Sequence, residues 1–188
     1  MKIYSYYILI LLVISCNDKK SAQLFLSKSS NDISIVNDIV SYKNEKFNGV
    51  LFELNSNNRD TILSQEIKNG LLDGISKKWY PNNQLMEYRQ YKMGIKNGHQ
   101  VAYWENGKKR FEFIAKNDAY EGELREWTIT GNLSHLAHYV NGQEEGSQKM
   151  WYENGKIRAN YVIINGKRYG LLGTKNCKNV SDSIFVVR

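Results

Sequence analysis

The side chains that most often carry out chemistry in proteins are few in this chain and poorly placed to act together. Its three histidines are His99, His135 and His138. His135 and His138 are three residues apart, so a β-strand would direct them to opposite faces and they could not share a metal ion. The chain also has no glycine-flanked serine elbow, phosphate-binding loop or paired-cysteine zinc spacing. The sequence therefore predicts a non-catalytic protein with no metal and no cofactor.

Acidic residues recur at one position of the chain. Asp73, Glu121 and Glu145 each stand directly before a glycine. Carboxylates at such positions commonly accept hydrogen bonds from the backbone of turns. We interpret them as turn chemistry rather than as catalytic acids.

The N-terminus has the features of a bacterial secretory leader. Lys2 precedes an apolar run that ends at Ile14 and is followed by Ser15, a pattern typical of a signal peptide. The run is shorter than the roughly 20 residues that span a bilayer. We predict a signal peptide over residues 1–15.

The residues around Cys16 add a second feature to this leader. Val13-Ile14-Ser15-Cys16 resembles a bacterial lipobox, which implies that Cys16 is acylated and becomes the mature N-terminus. An ordinary cleaved signal with a coincidental cysteine is the alternative. The next segment, 16–32, is polar and rich in lysine, so we predict a lipidated tether there. Several acyl chains would hold the protein on the bacterial cell envelope, facing the periplasm or the surface, and would leave Cys177 as the lone thiol.

The charge of the chain restricts its partners. The formal net charge is +7, and a basic protein outside the cytoplasm suits phospholipid head groups or acidic glycans better than nucleic acid. A merely solvated basic surface is the alternative.

Five glycines spaced by 24 residues organise the chain, and such a period indicates a repeat architecture. They are Gly74, Gly98, Gly122, Gly146 and Gly170. We expect them to mark positions where the backbone has positive φ or approaches a neighbour closely.

An aromatic residue follows each of the first four glycines by five positions, and we interpret this column as core packing. Its members are Trp79, Tyr103, Trp127 and Trp151. Leu85, Leu133 and Ile157, or alternatively Tyr91, Tyr139 and Ile163, would interleave with it. The next residues along the chain, Tyr80, Trp104 and Tyr152, must face the other side of a strand. We predict that these three rings form the binding face.

Two turns divide every repeat into two short strands. Asn106-Gly107 and Asn154-Gly155 are strong hairpin signals and predict type I′ turns, in which both central residues have positive φ. A second turn is predicted near residues 93–97, 117–121, 141–145 and 165–169. Because neighbouring strands tend to pair, the fold class is all-β: an extended single-layer antiparallel meander of 24-residue hairpins.

The ends of the array are expected to differ from its centre, because they cap it. Gly49 lies 25 residues before Gly74, and residues 55–60 have room for the extra residue. We predict a divergent N-terminal capping repeat over 33–73, four repeats over 74–170 and a C-terminal cap over 171–188.

These repeats resemble the bacterial variant of the MORN repeat. Trp151-Tyr152-Glu153-Asn154-Gly155-Lys156 is the best copy, and Trp79-Tyr80-Pro81-Asn82-Asn83-Gln84 is a good one. Proteins with this pattern include the YwqK-type antitoxin family. The resemblance implies a sheet of hairpins and a role in binding.

Two functions follow as hypotheses. The first is a membrane-anchored scaffold or binding module at the envelope, with a protein or acidic glycan as its partner. The second is an antitoxin or immunity protein that neutralises a toxin by direct contact.

Overall fold

The structure is a computed structural model that describes residues 23–57 and 59–173. The described residues form an all-β protein, as predicted, and none of them lies in a helix that is long and apolar enough to cross a bilayer. The signal peptide, Cys16 and Cys177 lie outside the described residues.

Within the described part of the chain, twelve strands form one sheet in the order β1-β5-β6-β7-β8-β9-β10-β11-β12-β13-β14-β15. Their bounds are β1 Phe25–Ser27, β5 Gly49–Leu54, β6 Thr61–Lys68, β7 Leu71–Trp79, β8 Leu85–Lys92, β9 Ile95–Tyr103, β10 Lys109–Lys116, β11 Ala119–Trp127, β12 Leu133–Val140, β13 Gln143–Trp151, β14 Ile157–Ile164 and β15 Lys167–Leu171. From β5 onward, each strand pairs antiparallel with the next in sequence. The predicted meander is confirmed.

The two kinds of turn differ from the prediction in type and length. At Asn106-Gly107, only the glycine has positive φ, 82°. Gly107 N–H donates to the Trp104 carbonyl at 2.9 Å, and Trp104 N–H donates to the Lys108 carbonyl at 2.8 Å. This is a type I turn followed by a glycine bulge, so the type I′ prediction at this end is wrong.

Type I′ turns occur instead at the opposite end of the hairpins. Asn117 and Asp118 both have positive φ, 52° and 63°, and the strands resume at Ala119. These loops are therefore two residues long rather than the predicted five. A two-residue type I′ turn is favoured there because its twist matches that of the flanking strands.

The framing glycines have positive φ, as expected, with values from 70° to 118°. The register shifts by two residues opposite the first four of them, which places these four in β-bulges that bend and twist the sheet. At Gly98, the Gln90 side chain fills the space that a Cβ atom would need, and Gln90 Oε1 accepts from His99 N–H at 2.7 Å. Glu66 does the same beside Gly74, where Oε2 accepts from Ile75 N–H at 2.9 Å.

The sheet has two unlike faces. We call the inner face the one that carries Gln100 and its cross-strand partners Arg89 and Phe113. It holds the buried repeat column Ser76, Gln100, Leu124 and Gln148, and the buried alanines Ala102, Ala115, Ala137 and Ala159.

The outer face carries the predicted aromatic column, which is half-buried: Trp79, Tyr103, Trp127 and Trp151. Trp79 pairs with Leu85, and Trp127 pairs with Leu133. The first of the two interleaving columns considered from the sequence is thus the one that occurs. Small and polar side chains, rather than these rings, occupy the fully buried positions of the repeats.

The N-terminal end departs from a simple repeat. Strands β2 Ile33–Val36, β3 Ile39–Tyr42 and β4 Glu45–Lys46 form a separate antiparallel sheet. Strand β1 pairs in parallel with β5, so this part of the predicted 16–32 tether is a strand of the main sheet. Val40, Phe47, Leu51 and Ile67 form a buried cluster that joins the small sheet to the main one.

The main sheet ends at β15 among the described residues. All five of its residues are exposed, and most of the predicted C-terminal cap, 174–188, lies outside the description. The β5–β6 turn, residues 55–60, has one residue more than the later equivalents such as 80–84, which accounts for the 25-residue step from Gly49 to Gly74.

Candidate functional site

Two of the three rings predicted to form the binding face link one repeat to the next. Tyr80 Oη donates to the Tyr103 carbonyl at 3.0 Å, and Trp104 Nε1 donates to the Trp127 carbonyl at 3.1 Å. Both side chains are half-buried. Each ring therefore satisfies a backbone acceptor 23 residues further along the chain.

The third ring, Tyr152, is 43% exposed. Of Tyr80, Trp104 and Tyr152, Trp104 lines the cleft described below and the other two do not. A binding face built from all three stays a prediction.

Turn asparagines form a parallel set of links. Asn106 Nδ2 donates to the Ile129 carbonyl at 2.9 Å, and Asn82 Nδ2 donates to the Glu105 carbonyl at 3.3 Å. Asn106 Oδ1 also accepts from Lys108 N–H at 3.1 Å within its own turn. One side chain thus shapes its turn and fixes the neighbouring one.

Two of the acidic residues before the framing glycines accept backbone hydrogen bonds from the two-residue turns at the other end of the hairpins. Asp73 Oδ2 accepts from Met93 N–H at 3.2 Å, and Glu121 Oε2 accepts from Asn141 N–H at 2.9 Å. Their interpretation as turn chemistry agrees with these contacts. Among the described residues, no group of three or more His, Cys, Asp or Glu side chains could hold a metal ion.

A cleft lies between strands β8 and β12, where inner-face side chains meet the Trp104 and Trp127 turns. Its volume is about 580 Å³. The lining residues that matter for its chemistry are Arg89, Trp104, Arg110, Phe111, Tyr120 and Glu126. We call this cavity the Arg89–Arg110 cleft.

A chain of aromatic rings runs through this part of the inner face. The Phe111 and Phe113 ring centroids are 5.8 Å apart, those of Phe113 and Tyr120 are 4.5 Å apart, and those of Tyr120 and Tyr139 are 4.9 Å apart. All three pairs are tilted, an arrangement that aromatic quadrupoles favour over face-to-face stacking. Burial raises the pKa of Tyr139 above 10, with the nearby Glu144 carboxylate adding to the effect.

Both arginines of the cleft are held against these rings. The guanidinium carbon of Arg89 lies 4.8 Å from the Phe111 centroid, and that of Arg110 lies 5.2 Å from Trp104 and 5.8 Å from Phe111. Cation–π contacts of this kind orient a guanidinium without occupying its N–H donors. Among the described residues, no carboxylate pairs with the Arg110 guanidinium, whereas Arg89 Nη2 donates to Glu87 Oε1 at 3.2 Å.

A carboxylate completes the cleft. Glu126 Oε2 lies 3.2 Å from His135 Nδ1. This hydrogen bond is the main reason that the pKa of Glu126 is lowered; burial opposes it, and the charges of His135 and Arg110 reinforce it. Glu126 therefore presents a charged acceptor to the cleft.

The family model of the MORN repeat variant matches residues 72–93 and 144–161. These two stretches are MORN repeat variants. The first covers most of β7 and all of β8, and the second runs from β13 into β14. No curated protein matches the chain.

The cleft lies mainly between the two matched MORN repeats. Arg110, Phe111, Phe113 and Tyr120 all fall within residues 94–143, which the family model leaves unmatched, whereas Arg89 lies in the first match. The repeats with the best consensus supply the framework, and the divergent ones supply the cleft. MORN repeats generally mediate binding or scaffolding.

Sequence reasoning assigned Trp104 to a binding face and Trp127 to core packing, but it missed Arg89, Arg110, Phe111, Phe113, Tyr120 and Glu126 as residues of the cleft. A usable signal was present in Lys109-Arg110-Phe111-Glu112-Phe113, which departs from Leu133-Ser134-His135-Leu136-Ala137 at the same repeat positions. A repeat is a candidate site when it carries aromatic and charged side chains that the hairpin framework does not require.

The indole hydrogen bond of Trp104 gives a first prediction. We expect Trp104→Phe to lower the free energy of unfolding by about 1 kcal/mol, because the Trp127 carbonyl loses its donor. Trp79→Phe is the matched control: it makes the same change in ring at a half-buried site with no indole hydrogen bond among the described contacts. Urea unfolding of both variants tests this, and equal losses would contradict it.

The Glu126–His135 pair gives a second prediction, on pH. The folded state holds the pKa of Glu126 below its ordinary value of 4.5, so the unfolded chain takes up the proton first as the pH falls. The contribution of Glu126 to stability is therefore complete above pH 4.5 and is lost as the pH falls through the folded value.

We expect the melting temperature of Glu126→Gln to fall less between pH 7 and pH 3 than that of the unmodified protein. Thermal melts across this range measure the difference. Melting curves whose pH dependence is the same for both proteins would show that the pair does not contribute.

Proposed function

We propose that the protein is a non-catalytic binding module held at the bacterial cell envelope by a lipid on Cys16, and that it recruits its partner through the inner face of the sheet. The observation that carries the proposal is the Arg89–Arg110 cleft, most of whose cationic and aromatic side chains lie between the two stretches that match the MORN repeat variant. The cleft volume falls within the range of roughly 300–1,000 Å³ that is common for ligand sites.

Several features support a role in binding a partner rather than in catalysis. Side chains at both ends of the hairpins bond to neighbouring repeats, as Trp104 and Glu121 do. These links hold the inner face in one shape, and a preformed surface binds at lower entropic cost. The basic charge of the chain suits an acidic partner.

A pull-down from the cells of origin tests the binding role. The full-length protein is the bait, and Arg110→Gln is a parallel bait. Recovery of a specific partner supports a binding module. A secreted toxin as that partner would favour the antitoxin or immunity role that the YwqK-type resemblance suggests, whereas no specific partner with either bait would contradict the proposal.

A separate experiment tests the anchor. We expect the unmodified protein to fractionate with membranes and to incorporate labelled fatty acid, and Cys16→Ser to do neither. If Cys16→Ser still incorporates fatty acid and partitions with membranes, the lipid is not on Cys16.

A further inference from the structure

Two cavities adjoin on the inner face. The Arg89–Arg110 cleft shares Lys96 with a second cavity of about 450 Å³, which reaches Lys28 beneath the small N-terminal sheet. Together they extend across several strands of the sheet. An elongated ligand fits this shape better than a compact one.

The cations along these cavities differ in how far they are neutralised: Lys28 lies 3.4 Å from Glu53, and Asp38 and Asp118 also line the second cavity. Within residues 23–57 and 59–173, no carboxylate forms an ion pair with Arg110 or Lys96. Arg89 Nη2 lies 3.2 Å from Glu87, but Glu87 is shared with Lys78 at 3.8 Å. Guanidinium donors without a carboxylate partner favour a ligand that carries its own anionic groups, since these pairs form charge-assisted hydrogen bonds.

The aromatic rings and Glu126 indicate which other chemical groups the ligand has. Phe111 already holds both guanidinium groups, whereas Tyr120 lies beside Phe113 and is 39% exposed, so the C–H groups of a sugar ring can pack against its ring. The Glu126 carboxylate accepts hydrogen bonds from hydroxyl groups, and its charge disfavours the closely spaced phosphates of a nucleic acid.

A peptide is less suited to this position. Strands β8 to β12 are each paired on both sides, so their backbones offer no free edge to which an extended peptide could add as a strand. Recognition at the cleft must use side chains, through stacking and carboxylate pairing.

We infer that the Arg89–Arg110 cleft binds an oligosaccharide that carries carboxylate groups, of the uronic acid class. One uronate carboxylate pairs with Arg110 and another with Arg89 or Lys96, a sugar ring packs on Tyr120, and Glu126 accepts from a hydroxyl group. This inference rests on the proposed binding function and names the ligand class of its site.

The test uses the full-length protein in detergent micelles and a defined oligomer of galacturonic acid as the probe. Isothermal titration calorimetry compares this probe with a neutral galactose oligomer of equal length and with polyphosphate. We expect the uronate oligomer to bind at least about tenfold more tightly than either, with an affinity that falls as salt is added.

The chain offers a matched control for the arginine. Arg158 lies 48 residues after Arg110, at the same repeat position, and is also exposed, but the residue after it is the buried Ala159 rather than Phe111. We expect Arg110→Gln to weaken uronate binding about tenfold or more and Arg158→Gln to change it less than about twofold. Tyr120→Leu should weaken uronate binding but not any residual polyphosphate binding.

The outcomes separate this inference from the proposed function. Uronate and neutral oligomers of equal affinity, equal effects of Arg110→Gln and Arg158→Gln, or tighter polyphosphate binding would each overturn the inference. A protein partner captured equally by the unmodified and Arg110→Gln baits would also overturn it and leave the binding role in place. Thermal melts of each variant establish that it is folded.

Discussion

Leu51→Ala is expected to lower the free energy of unfolding by about 2–5 kcal/mol, the range measured for truncation of buried leucines. Leu51 is 1% exposed and packs with Val40, Phe47 and Ile67. This cluster joins the small N-terminal sheet to the main sheet. The truncation leaves a cavity where the two meet, so the loss includes both the transfer of the side chain to water and unfilled space.

Urea unfolding followed by tryptophan fluorescence measures this loss. Leu171→Ala is the matched control, because Leu171 lies in β15 and is 51% exposed. We expect that control to change stability by less than about 0.5 kcal/mol. Similar losses for the two variants would mean that the N-terminal cluster does not support the fold.

Gly98→Ala is expected to lower the free energy of unfolding by about 2–4 kcal/mol. Its φ of 103° is a conformation that L-residues rarely adopt, and an added Cβ atom would overlap Gln90 Oε1. The substitution therefore combines backbone strain with loss of the hydrogen bond from His99 N–H to Gln90.

Two further variants separate these causes. Gly122→Ala lies at the same repeat position, with φ of 72° and no atom within 4 Å of the added carbon, so we expect it to cost only about 1–2 kcal/mol. Adding Gln90→Ala to Gly98→Ala should remove the overlap but not the strain. If Gly98→Ala and Gly122→Ala melt at the same temperature, the Gln90 contact does not explain why position 98 requires glycine.

The sequence predicted the sheet because its signals are local. A turn needs only a few residues with the right φ preferences, so the framing glycines and turn asparagines placed the hairpins without knowledge of the rest of the molecule. The turn types were less predictable. Asn-Gly suits a type I′ turn, but at residues 104–108 hydrogen bonds across five residues select a type I turn with a glycine bulge.

The candidate site was only partly predictable. Trp104 stands out in the repeat pattern, yet its neighbours in the cleft, Arg89, Arg110 and Tyr120, come from three different strands. Strand alternation suggests which face each residue takes, but a bulge in the strand reverses it. The one-residue bulge between Lys109 and Phe111, which contains Arg110, therefore had to be located before these side chains could be placed together.

The sequence by itself determined the 24-residue period, the all-β class and the order of the hairpins, because these depend on turn chemistry and on pairing between neighbours in the chain. Only the tertiary structure decided that β1 joins the sheet in parallel, that the small sheet packs at the N-terminal end, and that the cationic cleft lies on the inner face. These features depend on contacts between residues far apart in sequence, whose register is set by bulges and by the burial of whole faces.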